Sequence, residues 1–442
     1  MTHRNNVREP RGGVRRVAVI GAGYVGLPTA ATLAHFGHSV VLAERDERRL
    51  SALRSGRMPI VETGLDELVA DSVAGNRLWF TDSAVEAVKG AEFVFLCVPT
   101  PQSADGSADL SFVQQAAKEI GTHLKPGAIV VNKSTVPVGS ATMVEQVIGR
   151  PDISVVSNPE FLREGTAVLD SLNPDRIVVG ADDPKAAAAV GELFAATAAP
   201  LIVTDTTTSE AIKYASNAFL ATKLSFVNAL AGLCEEVGAD ARDVLLGLGY
   251  DKRIGFEFLR PGPGWGGSCL PKDTQALLYI AREAGYDFSL LAGAIASNDE
   301  QLARVIGKIR TACGGALDGT TVAAWGLTFK ANTDDRRDSP SLHIAHELAA
   351  QGATVRAFDP TVDPESEPPE DLRGLELCGD PYEAATGAKA LVVLTEWDEF
   401  RWLDFARVHS VMDVPAIVDA RNLLDPSAVR RIGFSYSGIG RH

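Results

Sequence analysis

The chain has 442 residues, too many for one hydrophobic core, so two or three domains are expected. A formal net charge of −15 argues against general affinity for nucleic acid or anionic membranes, although an anionic ligand can still sit in a local basic pocket. No apolar run reaches the roughly 18–20 residues that span a bilayer. The five scattered cysteines (Cys97, Cys234, Cys269, Cys313, Cys378) form no CxxC pair, which points to a reducing, cytoplasmic setting, no metal site and at least one thiol free to react.

Residues 1–15 are polar and basic and read as a disordered arm. Short apolar runs then alternate with helical patterns: Arg16–Ile20, Ser39–Ala43, Glu92–Val98, Ala128–Asn132, Ile153–Val156, Arg176–Val179 and Pro200–Val203. Continuous apolar strands between helices indicate a parallel sheet covered on both faces. From Ser209 to about Val237 the spacing becomes helical, with Thr208 or Ser209 as start cap and Gly238 as stop, a helix of roughly 43 Å. A helix of that length suits either a dimer contact or packing within one subunit. A Gly/Pro-rich loop, Arg260–Gly267, follows. A second set of strands is expected at Thr321–Trp325, Thr354–Phe358, Ala390–Leu394 and Ala416–Asp419, with an acidic surface loop at Asp363–Asp371. The fold class is therefore α/β, two doubly wound Rossmann-like domains joined by a long central helix. The expected boundaries are 16–207, 208–310 and 311–442.

The segment Gly21-Ala22-Gly23-Tyr24-Val25-Gly26 follows the first strand and opens a helix. Gly21 permits the tight turn, Gly23 lets backbone approach a pyrophosphate, and Gly26 lets helix and strand pack closely. Glu44 ends the next strand, 18 residues after Gly26, where a carboxylate accepts hydrogen bonds from ribose hydroxyls and repels a 2′-phosphate. NAD is favoured over NADP, with Arg45 next door working against that preference.

Gly264-Trp265-Gly266-Gly267-Ser268-Cys269-Leu270-Pro271-Lys272-Asp273 sets a cysteine at a helix start, where the helix N-terminus favours thiolate. Lys272 adds to this, and Asp273, four residues on, shares a helical face with Cys269 and suits a water-positioning carboxylate. The other four cysteines read as small buried residues.

With these motifs assembled, the chain resembles the UDP-glucose/GDP-mannose dehydrogenase family, and most closely its members acting on UDP-glucose. The resemblance runs from Gly21 to about Arg421. It covers GAGYVG, the CVPTP of Cys97–Pro101, the STVPVG of Ser134–Gly139, the NPEFLREG of Asn158–Gly165, the KYASN of Lys213–Asn217, GGSCLPKD and the FKANTDD of Phe329–Asp335. It implies two successive oxidations of a sugar C6 alcohol using two NAD. Cys269 would hold the aldehyde as a thiohemiacetal and then as a thioester that water releases.

The resemblance also implies roles. Lys213 and Asn217 would stabilise an oxyanion, Glu160 would be the base for hydrolysis, and Thr135 would place the water. Pro99, Thr100, Ser134, Glu164, Lys272 and Arg337 join the glycine loop and Glu44 at the cofactor. Phe161, Leu162, Arg163, Glu164, Phe258, Leu259, Arg260, Gly266, Phe329, Lys330 and Arg421 join Lys213 and Asn217 at the sugar nucleotide. Arg253 would reach the substrate of a partner in a homodimer. The cofactor and the sugar would meet between domains. No nucleic-acid or membrane partner is implied.

Four positions depart from the family pattern: Glu44 for Asp, Trp265 for Phe or Tyr, Ala331 for Pro and Asp338 for Glu. Trp265 would lie near the substrate. GDP-mannose, a dTDP-sugar or an N-acetylated sugar stay open as substrates, as does an inactive nucleotide-sugar-binding protein.

Overall fold

The computed structural model describes residues 13–441; the basic arm falls outside the described residues except for Gly13–Arg15. The chain divides into two compact units, Met1–Ser216 and Asn217–His442.

The first unit holds β1 (Arg16–Ile20), β2 (Ser39–Ala43), β3 (Leu78–Thr81), β4 (Phe93–Leu96), β5 (Ile129–Asn132), β6 (Ser154–Ser157), β7 (Ile177–Gly180) and β8 (Leu201–Thr204). They form one sheet in the order β3-β2-β1-β4-β5-β6-β7-β8. The first six strands have the order expected of a doubly wound nucleotide fold, with the switch point between β1 and β4. Alternate residues of each strand feed two cores. Val17, Phe95, Val131 and Val156 face one layer of helices, while Ala18, Leu96, Val130 and Val155 face the other. That double burial is why the strands read as unbroken apolar runs. The sheet is not parallel throughout: β6 and β7 are antiparallel and meet through one pair, Ser157 opposite Gly180. The chain turns back after β6 and makes no crossover over the sheet.

The second unit repeats the architecture with β9 (Thr321–Trp325), β10 (Thr354–Phe358), β11 (Glu376–Leu377), β12 (Ala390–Val393), β13 (Ala416–Asp419) and β14 (Ser435–Gly438). The order is β11-β10-β9-β12-β13-β14, all parallel. The likeness extends to hydrogen bonds. The Gly21 N–H donates to the Ala43 carbonyl, and the Gly326 N–H donates to that of Phe358. In each unit the next residue of the second strand is a carboxylate that accepts from the turn. Glu44 takes the Ala22 and Asp46 N–H groups, and Asp359 takes those of Leu327, Thr328 and Thr361.

The long helix spans Thr206–Val237, 32 residues or roughly 48 Å. It begins earlier than the Thr208 or Ser209 cap suggests, because Asp205 does the capping: its carboxylate accepts from the Thr208 N–H and hydroxyl, both at 2.7 Å. By length and composition this helix is apolar enough to cross a membrane, and half of its most apolar window is buried within the protein.

Trp325 at the end of β9 is fully buried, packs on Phe400 and Phe405, and donates its indole N–H to the Pro381 carbonyl. Trp325→Ala is expected to destabilise the second unit by roughly 3–5 kcal/mol in urea denaturation.

Candidate functional site

In the glycine turn, each glycine does a different job. Gly21 has φ +102°, and a β-carbon there would stand 2.6 Å from the Cys97 carbonyl oxygen. A β-carbon on Gly26 would stand 1.9 Å from the Gly21 oxygen, whereas one on Gly23 would meet nothing within 4 Å. Backbone is therefore bared at Gly23, at the entry to the helix Gly26–His35, whose first turn carries no acidic residue. That is the arrangement a pyrophosphate requires. Arg45 is ion-paired with Glu119, so its charge is already engaged beside Glu44. Thr100 donates to the Thr135 carbonyl at 2.9 Å and Ser134 to the Val98 carbonyl at 2.6 Å, tying the loops after β4 and β5 together.

Deeper in the same unit, Lys213 of the long helix and Glu160 are both buried and form an ion pair at 2.7 Å. The second Glu160 oxygen accepts from the Leu162 N–H at 2.6 Å. Burial works against ionisation of Glu160, but Lys213, the Leu162 N–H and Lys133 outweigh it and hold the carboxyl below its ordinary range. The Phe161 ring lies under the Arg176 guanidinium at 3.6 Å and within 5.5 Å of the Lys213 ammonium. The loop between is fixed from outside the family motifs. Glu62 accepts from the Gly165 and Ala167 N–H groups, both at 2.7 Å, and Asp170 binds the Arg163 side chain and N–H.

In the second unit, Cys269 stands at the N-terminal boundary of the helix Leu270–Glu283 and is partly exposed, while the other four cysteines are buried. Asp273 is only 1% exposed. It accepts from the Asn217 amide at 2.6 Å and from Lys272 at 2.5 Å. Lys213 and Asn217 occupy successive turns of the long helix on one face.

The glycine loop before Cys269 is clamped on two sides. Asn228 accepts the Gly262 N–H and Gln301 donates to its carbonyl. Asn298 both accepts from and donates to the Trp265 backbone. Trp265 itself is buried and donates its indole N–H at 2.8 Å to Ser225, whose hydroxyl in turn donates to the Ala294 carbonyl. Its side chain is thus a strut between loop and helix. Gly266 and Gly267 press on the Asp338 carbonyl and the Phe329 ring, so no side chain fits at either.

The remaining expected residues divide. The Arg421 guanidinium holds the Leu394 and Phe329 carbonyls and pairs with Glu396, close to Gly262. Leu259 is buried, and Phe258 beside it takes φ +60°. Arg337 forks onto Asp335, and Arg253 onto Asp251 in an exposed loop. Tyr24 and Val25 lie in the glycine turn after β1, Pro99 in the loop after β4, Glu164 in the loop after β6, Arg260 at the start of the Gly/Pro-rich loop and Lys330 in the loop after β9. Lys133, Asn158, Glu62 and Ser225 also hold these loops, and no sequence pattern marks them for that role. Lys133 and Asn158 stand beside or within a motif, Glu62 and Ser225 outside every one, and each becomes legible only when its partner is known.

Comparison with known proteins adds the lineage. Three domain descriptions of one family match in order: the NAD binding domain over residues 15–198, the central domain over 207–300 and the UDP binding domain over 323–426. The chain belongs to the UDP-glucose/GDP-mannose dehydrogenase family. It is an NAD-dependent oxidoreductase of the nucleotide-sugar class. It is 47% identical over 440 residues to UDP-glucose 6-dehydrogenase of Rhizobium meliloti, covering 96% of this chain and 99% of that one. Among solved structures it resembles a UDP-glucose dehydrogenase from Pyrobaculum islandicum, with TM-score 0.89, 34% identity, and 98% and 100% of the two chains covered. It also resembles a UDP-D-ManNAc dehydrogenase from Pyrococcus horikoshii, with TM-score 0.85, 28% identity, and 96% and 99% coverage.

The second and third glycines of the turn separate binding from folding. Gly23→Ala is expected to weaken NAD binding at least tenfold by calorimetry while leaving the melting temperature within about 1 °C, because its β-carbon points into open space. Gly26→Ala is expected to cost about 1–3 kcal/mol of stability as well, because its β-carbon overlaps the turn.

Proposed function

We propose that this protein is a UDP-glucose 6-dehydrogenase that makes UDP-glucuronate, with Cys269 as covalent catalyst. The observation that carries the reading is Asp273, buried and held by Asn217 and Lys272, one helical turn from a partly exposed Cys269. A buried carboxylate fixed in this way can take a proton through a water, and the neighbouring thiol is the reactive member of an otherwise buried set. Bound NAD supplies the chemistry of hydride acceptance, once for each oxidation.

The residues do the rest. Asp273, acting through water, receives the proton of the C6 hydroxyl as the C–H bond breaks. Lys213 and Asn217 donate hydrogen bonds to the oxygen on which charge develops. The Cys269 sulfur adds to the resulting aldehyde carbon, and the thiohemiacetal that forms has the C–H bond a second oxidation needs. That oxidation leaves a thioester. Glu160, kept ionised, takes a proton from a water placed by Thr135; the water oxygen bonds to the acyl carbon, the C–S bond breaks, and the uronate leaves. Arg421, Lys330, Arg260 and Phe329 serve the sugar nucleotide, and charge-assisted hydrogen bonds from the cations suit a diphosphate. Glu44 serves the NAD ribose.

The same reading makes the protein a cytoplasmic homodimer assembled on the long helix. Phe219, Phe226, Leu233 and Val237 are 69%, 60%, 56% and 68% exposed and fall on one stripe of that helix. Lys223, on the same side, donates to the Ile254 carbonyl and holds the loop carrying Arg253 beside exposed Tyr250 and Phe256. A second copy of the chain would cover the stripe and bring Arg253 to its partner. Phe226→Glu is expected to shift the protein to monomer in sedimentation; an unchanged dimer would remove this interface.

With purified protein, two NADH per UDP-glucose consumed are expected. Turnover restricted to GDP-mannose, a dTDP-sugar or an N-acetylated sugar would replace the substrate assignment, and no turnover would leave a binding protein. Cys269→Ser should bind UDP-glucose within about threefold of wild type yet lose at least a thousandfold in uronate formation. Undiminished uronate from that variant would sink the covalent route.

A further inference from the structure

Lys133 follows β5 directly, next to the Ser134–Gly139 motif and outside it. Its backbone N–H donates to the Leu96 carbonyl at 3.1 Å, and its side chain is buried. The ammonium donates to the Asn158 amide oxygen at 3.1 Å and lies 5.6 Å from the centre of the Phe194 ring. Asn158 is itself fixed, because its amide donates to the Val178 carbonyl at 2.7 Å and its backbone N–H to Asn132 at 2.9 Å. Among the described residues no carboxylate pairs directly with Lys133. An ammonium has three protons to place, and burying one against a neutral amide and a ring is costly. Burial accordingly pulls Lys133 down to about 8, with the Glu160 charge pushing the other way. The charged and titratable groups around it are Glu160, Lys213 and Cys97, whose thiol burial pushes up to about 12; Arg176 faces Glu160 across Phe161.

We propose that Lys133 is a positioning residue for Glu160: a second buried cation, held back on the Asn158 amide, that keeps Glu160 a carboxylate when Lys213 turns its hydrogen bond to the reacting oxygen. The inference rests on the assignment of Glu160 to the hydrolytic step. In that step Lys213 has two claims on it, the carboxylate it pairs with and the oxygen on which charge builds. A buried carboxylate that loses its partner takes up a proton and stops being a base. A cation acting through its field, and tied to a neutral amide, stays in place whichever way Lys213 turns. Asn158 thus spaces the charge without neutralising it.

The test uses the full-length enzyme with NAD and UDP-glucose. Lys133→Met is expected to raise the acidic limb of the kcat profile by about one pH unit, a tenfold loss of kcat below the limb. KM for both substrates should stay within about twofold. Intact mass should show a sugar-acyl adduct on the protein at low pH. Lys133→Arg should restore the limb, and Lys133→Gln should repeat the Met result. In a Glu160→Gln background, which should hold the adduct at every pH, adding Lys133→Met should change nothing further. A Met variant whose profile superimposes on wild type overturns the proposal. So does loss of folding in both neutral variants, which would make the lysine structural. Normal turnover by Glu160→Gln with no adduct would instead remove the role given to Glu160, whatever Lys133 does.

Discussion

The structure depends on what the long helix is made to bury. Lys213 is charged and enclosed, and an enclosed ammonium is tolerable only with a carboxylate and hydrogen bonds around it. Glu160 is that carboxylate, and its own cost is met by Lys213, the Leu162 N–H and the field of Lys133. The demand is repeated along the helix. Glu210 accepts from Gly139 and Ala141, Asn217 meets Asp273, Ser225 meets Trp265, and Asn228 meets Gly262. Successive loops of the molecule are fastened to one polar seam.

This seam gives the helix an unusual division of its polar and large apolar residues. Glu210, Lys213, Asn217, Ser225 and Asn228 lie on one side and are buried, while Phe219, Phe226, Leu233 and Val237 lie on the opposite side and are exposed. An ordinary surface helix does the reverse. Tyr214, Ala218, Ala221, Val227, Ala231 and Cys234 are buried beside the polar seam, and together with the exposed apolar stripe they raise the hydropathy of the helix to that of a membrane span. The division also gives the exposed face a reason to be covered, since a stripe of that kind facing water carries a standing cost.

Much of this was readable in the chain before any coordinates. The apolar strands announce themselves because both faces of each sheet are covered, and the glycine turn does so because three positions need the absence of a β-carbon for three separate reasons. What failed to show was long-range. Strands β3, β11 and β14 lie at sheet edges and are only partly buried, so they do not read as unbroken apolar runs. The reversal at β7 is decided by one pairing, Ser157 with Gly180. The sequence offers Thr208 or Ser209 as the helix cap, and the residue that does the capping, Asp205, is marked only by its bonds to Thr208. Nothing local to Trp265 announces its strut role, because the residue that takes its indole N–H, Ser225, is 40 positions away. Lys133 reads as the tail of an apolar strand, and only Asn158 and Glu160 give its charge a meaning.

The two sheets share more than strand order, and their turns diverge at one carbon. The first turn reads Gly21-Ala22-Gly23 and the second Gly326-Leu327-Thr328, each latched by a carboxylate from the neighbouring strand. Where Gly23 leaves open space, Thr328 puts a fully buried side chain whose hydroxyl lies 3.4 Å from Asp359, and its carbonyl accepts from Thr395 at 2.6 Å. A pyrophosphate needs bare backbone there, so the second turn is plugged from within. Two copies of one scaffold can thus share a chain without competing for the same dinucleotide, since one of them carries its own stopper.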